Sequence, residues 1–223
     1  MHLRNEHYLN YIKGQNDTTL TIHILKLLKE NRLFVRKLES KQLGEIQPLS
    51  KTDLETIRRY RWYLEDTLLA LENLGIDFSH NNEEQNAYVF QDKIPSITRL
   101  GFYIGGYLRG IEKYDVEINE DKAVMSYSLS DTNYIPPIIL MEPDHLYKDD
   151  FYRFIHSIYM GEWREEYLNK KDYTIFENTI WAVEIFYADG SEKITFNGFN
   201  AFPYNFKQFL NFFESHKRKV YTI

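Results

Sequence analysis

The sequence predicts an α+β protein: mainly helical from residue 1 to about Ile111, with an antiparallel β-sheet and packed helices from 112 to 223. Three observations carry this. Leu20, Ile24, Leu27 and Leu28, then Leu54, Ile57, Leu64, Leu68 and Leu71, recur at the spacing of a single helix face. From Tyr114 the period drops to two, through Tyr114, Val116 and Ile118 and again through Ala123, Met125, Tyr127 and Leu129. Further on, the aromatic and β-branched run Trp181–Tyr187 reaches "ADGS", a tight-turn signal, before Ile194 and Phe196 resume the alternation. No Pro-, Gly- or Ser-rich tract separates 1–111 from 112–223, so one continuous domain and two domains both remain open.

Taken in order, "DTTLTIHILKLLKEN" begins a helix behind an Asp17 or Thr18 N-cap. "SKTDLETIRRYRWYLEDTLLALENLG" is a long helix, opened by a Ser50–Asp53 capping-box pattern and closed by Gly75. "SHNNEEQN" reads as a surface loop. In "SITRLGFYIGGYLRGI", Ile97, Leu100, Ile104, Leu108 and Ile111 fit helical spacing, with Gly101 and Gly105 admitting a close neighbour. "NEDK" is the turn of a hairpin, and the prolines of "IPPIILM" confine it to a sheet edge or a strand start. "DDFYRFIHSIYMGEWREEYL" returns to helical spacing through Phe151, Phe154, Ile155 and Ile158. Gly198 ends the last strand, Asn200 suits a left-handed turn, and Pro203 starts the helix "PYNFKQFLNFF".

The 43% hydrophobic and 27% charged composition of these 223 residues is that of a folded globular chain. Cysteine is absent, which removes disulfides, thiolate metal sites and a cysteine nucleophile together. No apolar run is long enough to span a membrane and no secretory leader pattern opens the chain, so a cytoplasmic location is expected. A net charge of −6 disfavours a dedicated nucleic-acid binder, which needs a dense basic face.

Near the C-terminus, "GEWREEY" and "IWAVEIFYADGSEKITFNGFNAFPYNFKQFLNFF" place Trp163, Tyr167, Trp181, Gly190, Gly198, Asn200, Pro203, Asn205 and Phe206 in a specific pattern. The pattern resembles the C-terminal region of an uncharacterised family of bacterial proteins: a Trp-led strand, a Gly turn, then Gly-x-Asn-x-x-Pro-x-Asn-Phe. Phe199 stands where that pattern has a small polar residue. The resemblance implies a bacterial origin and a fold, and brings no activity.

Chemistry-bearing patterns are sparse. His2, His7, His23, His80, His145, His156 and His216 show no paired metal-ligand spacing, "GFYIGG" matches no phosphate-binding loop, and no nucleophile elbow occurs. Glu142, Asp144, His145, Asp149 and Asp150, with Glu162, could bind a cation or move a proton, but they read more simply as a polar loop with Asp149 or Asp150 capping the next helix. Arg58, Arg59 and Arg61 read as an ion-pair face with Glu55 and Glu65, and Lys217, Arg218 and Lys219 form a cluster too short to bind alone. The expected function is a non-enzymatic protein-binding module, such as an immunity, inhibitor or accessory protein of a bacterial conflict or mobile-element system. It would act through a protein partner or self-association, with no cofactor, no metal, no membrane and no nucleic acid. Phe199 and Tyr204, which have no obvious place in the apolar stripe, are the candidate contact residues. The alternatives are a metal-dependent hydrolase at Asp144, His145 and Asp149, and a nucleic-acid accessory factor at Arg58–Arg61.

Overall fold

The computed structural model describes residues 6–78, 82–106, 110–130, 138–139, 144–169 and 178–217. It is α+β, with helices first and a mixed sheet after them. The chain divides into two compact units, one of Met1–Lys41 with Leu49–Gln85, the other of Gln42–Pro48 with Asn86–Ile223.

The first unit contains α1 (Glu6–Lys13), α2 (Asp17–Glu39) and α3 (Lys51–Asn73). The N-cap of α2 is Asn16, one residue before the expected position, whose side chain accepts the Thr19 N–H at 2.8 Å. Ser50 caps α3 as its sequence predicts, accepting the Asp53 N–H at 3.1 Å while its hydroxyl donates to the Asp53 carboxylate at 2.8 Å. Gly75 follows the helix at φ 75°, the left-handed conformation that glycine adopts without strain. Leu20, Ile24, Leu27, Leu28, Ile57, Leu64 and Leu71 are all buried, so the helical stripes are the core of this unit.

A further helix, α4 (Asn82–Lys93), occupies most of the stretch expected to be a loop. Next comes the largest correction. Ile97–Gly106 is not helical but forms the strand β1, and the change from helix to sheet falls after Lys93 rather than at Ile111. β1 pairs antiparallel with β2 (Gly110–Asn119) on one side and with β7 (Ile180–Tyr187) on the other. A register shift between Ile97 and Arg99 inserts an extra residue at Thr98, so Ile97 and Leu100 both face the core although they are three apart. That bulge imitates a helical period. Gly105 does admit a close neighbour, since a Cβ there would overlap the backbone of Gly110 and Ile111. Leu108, the remaining member of the supposed stripe, lies outside the described residues.

β2 and β3 (Lys122–Ser130) make the expected hairpin, and β7 and β8 (Ile194–Phe199) make the second, turning at Gly190. Among the described residues the sheet has eight strands, in the order β4-β3-β2-β1-β7-β8-β6, with β5 also pairing to β3. β4 (Ile138–Ile139) lies at the edge as expected of "IPPIILM", whose prolines lie outside the described residues; β5 is Asp144–Tyr147 and β6 is Glu166–Leu168. Helices α5 (Lys148–Ile158) and α6 (Phe206–His216) cover one face. There Phe102 and Tyr114 from the sheet meet Phe213, and Phe154 of α5 stacks on Phe212 of α6 at 3.6 Å. Neither of these two helices covers the other face.

Candidate functional site

The C-terminal motif is a structural lock. Trp181 is 1% exposed, its indole N–H donates to the Ala201 carbonyl at 2.9 Å, and its ring lies 4.6 Å from that of Phe206. Gly198 does not end β8 but sits within it beneath that indole, where a Cβ would overlap the ring. Asn200 adopts φ 47°; its side-chain oxygen accepts the Thr179 N–H at 2.7 Å and its amide donates to Asn178. Trp163 donates to Asn205 at 2.8 Å, and Asn205 donates in turn to the Ile158 carbonyl. These bonds satisfy polar groups that burial would otherwise leave costly. Tyr204 belongs to the same lock: it is 1% exposed and its hydroxyl donates to Glu162 at 2.6 Å, so its reading as an exposed aromatic is corrected.

Phe199 is different. It is half-exposed, at the end of β8, with its side chain on the face of the sheet opposite α5 and α6. Strand register places Ile111, Gly105, Ile180, Phe199 and Leu168 side by side in one row across β2, β1, β7, β8 and β6. Ile180 and Leu168 are exposed, and Tyr103, on the same face two residues from Gly105, is 37% exposed. Gly105 contributes no side chain, and the space a Cβ would take there is filled by the backbone of Gly110 and Ile111. The next row on this face already carries exposed Lys113 and Glu166 beside Tyr103, and beyond it Arg99 donates to Asp115 at 2.8 Å and Lys193 pairs with Glu184.

The polar residues near β5 do not converge. His145 is exposed on β5, Asp149 and Asp150 are exposed in the first turn of α5, and Glu162 is held by Tyr204. The N-cap of α5 is Tyr147, with no side-chain bond, so neither aspartate caps it; both instead stand near the positive end of the helix dipole. Among the described residues no three His, Asp or Glu side chains are placed to hold a metal ion. Glu142, Arg218 and Lys219 lie outside those residues. Lys217 pairs with Glu112 at 3.0 Å and lies over the Tyr127 ring.

One site was not anticipated. In the helical unit, α1, α2 and α3 enclose a cleft of about 390 Å³. Tyr8 and Tyr63 stack within it at 3.8 Å between centroids and an interplanar angle of 13°. The Thr67 hydroxyl lies 2.6 Å from both the Tyr63 carbonyl and the Tyr8 hydroxyl, and the Tyr8 hydroxyl also reaches the Tyr63 carbonyl at 3.2 Å and His23 Nε2 at 2.9 Å. Burial, and then Lys26, lowers the His23 pKa below 6.5, while burial pushes that of Tyr8 up to about 12. At neutral pH both are uncharged. Lys26 and Glu30, 3.9 Å apart, offset one another at the rim. Arg59, expected to pair with Glu55, lines the cleft instead and makes no ion pair among the described residues. No sequence pattern announces the site, because Tyr8, His23 and Tyr63 come from three separate helices.

The protein is α+β, with a sheet packed on one face by α5 and α6 and an aromatic cleft within its helical unit. Comparison with family models, curated proteins and solved structures gives no match. No helix among the described residues is long and apolar enough to cross a membrane.

Proposed function

We propose that this chain is a non-enzymatic protein-binding module that receives a partner on the face of its sheet opposite α5 and α6. The observation that carries the reading is the apolar row Ile111, Ile180, Phe199 and Leu168, with Tyr103 beside it, set on a rigid sheet whose other face is packed. A contiguous exposed apolar strip rimmed by polar residues is the usual form of a protein contact surface. Aromatic Phe199 and Tyr103 are suited to anchor such a partner. Of the two candidate contact residues, Phe199 is retained; Tyr204 would act only by holding the corner that positions Phe199. An immunity, inhibitor or accessory role is one setting in which such a surface would serve.

The test is photo-cross-linking in the native host, with a photoreactive phenylalanine at position 103 or, as control, at the highly exposed Tyr147. Position 103 is expected to yield one discrete adduct with a different protein, which Ile180→Asp abolishes without changing the melting temperature. Adducts of equal yield from position 147, or an adduct that survives Ile180→Asp, would remove this face as the binding surface. A chain-to-chain adduct would replace the partner by self-association.

A further inference from the structure

We propose that the cleft between α1, α2 and α3 is a small-molecule site for a planar aromatic ring carrying an anionic group. The cleft lies wholly within the helical unit and is distinct from the sheet face assigned to a partner. Its volume of about 390 Å³ falls in the range of ligand pockets. Its lining combines the features that such a ligand needs. The stacked pair Tyr8 and Tyr63 is a preformed aromatic wall, and Tyr11 and Tyr60 add ring surface that is still accessible to a third ring.

The charges select the sign of the ligand. His23 and Tyr8 are neutral and Lys26 is offset by Glu30, so Arg59 is the uncompensated charge of the cleft among the described residues. A guanidinium on an exposed rim binds a carboxylate or phosphate bidentately and costs little to present. His23 contributes a further contact. With Nε2 engaged by the Tyr8 hydroxyl, Nδ1 has no hydrogen-bond partner among the described residues and is left to hydrogen-bond the ligand, as donor or acceptor according to the tautomer. Two sources share this chemistry, a nucleoside monophosphate and an aryl carboxylate.

Isothermal titration of the full chain with adenosine monophosphate and with indole-3-acetate separates them. Inorganic phosphate serves as the ring-free control and adenosine as the charge-free one. We expect one of the two ring anions, or both, to saturate a single site with Kd below about 1 mM. Arg59→Gln should weaken that binding by about tenfold or more, and Tyr60→Ala should weaken it with the far-UV circular dichroism unchanged. Arg153→Gln, a charge change on α5, should leave it as it was. Failure of both ring anions to saturate, phosphate binding as tightly as they do, or Arg59→Gln binding like wild type would each overturn the proposal. Arg59 is exposed, so its variant folds and the charge test stands even if Tyr60→Ala does not fold.

Discussion

A single methyl group at position 198 tests the lock at the end of β8. The Gly198→Ala side chain would enter the space of the Trp181 indole, whose N–H is committed to Ala201, so the ring cannot move away without losing that bond. Overpacking of this kind costs about 1–3 kcal/mol, and truncating the buried ring itself in Trp181→Ala costs about 3–5 kcal/mol. Denaturant unfolding of both variants checks this; a Gly198→Ala chain as stable as wild type would show that the corner has slack. His23 gives a second residue-scale test. Its folded pKa lies below 6.5, so as pH falls the unfolded chain takes up the proton first and the unfolded state is favoured. This contribution to the stability of the helical unit is therefore full above the unfolded value of 6.5 and is lost as pH falls below it towards the lowered folded value. Hydrogen exchange in α2 should show that decline in wild type and a flatter profile in His23→Gln; parallel profiles would mean that His23 is not the titrating group. At this scale the sequence was informative about Trp181, Asn200 and Phe206, whose residue types suit a buried corner. It misled for Tyr204, because burial of a tyrosine depends on a distant hydroxyl partner, Glu162, that no local spacing reveals.

At the scale of elements, legibility followed the strength of local signals. α3 was readable end to end because Ser50, Asp53 and Gly75 mark its limits chemically, and Ser50→Ala should cost about 1 kcal/mol by leaving the Asp53 N–H without its cap. Thermal unfolding of that variant measures it, and an unchanged midpoint would mean that water replaces the cap without loss. β1 was misread because the bulge at Thr98 shifts Ile97 and Leu100 onto one face, and because tertiary pairing on both edges outweighed a helical reading of its leucines and isoleucines. Gly105→Val should loosen the β1–β2 ladder, since the added side chain meets the backbone of Gly110. Amide exchange should accelerate at Ile104 and Ile111; protection equal to wild type would show that the strands separate without penalty. α4 was missed because "NNEEQNAYVFQDK" is too polar to display a stripe. Where β5 leads into α5, the paired change His145→Ala with Asp149→Ala should leave folding intact. It removes at most a helix-dipole contribution of about 0.3–1 kcal/mol, and a larger loss in denaturant titration would point to a role for the pair that their positions do not explain.

For the molecule as a whole, the α+β class followed from the change of period, which is a long-range property of composition and spacing. The aromatic cleft was invisible for the converse reason. Its residues are ordinary in their own helices and acquire meaning only when Tyr8, His23 and Thr67 come within hydrogen-bonding reach. The arrangement of the sheet has one more consequence. Among the described residues its margins are built from fragments: β4 has two residues, β6 three and β5 four. A row of free N–H and C=O groups long enough to recruit another chain in register is the seed of fibrillar assembly, and short interrupted margins deny it. A protein with long strands at its centre and broken ones at its rim can thus expose an apolar strip on its face while resisting polymerisation through its edges. Prolonged incubation at high concentration, followed by thioflavin fluorescence, should leave the native chain without fibrils; lag-phase growth of dye-binding aggregates from folded protein would show that the rim offers a template after all.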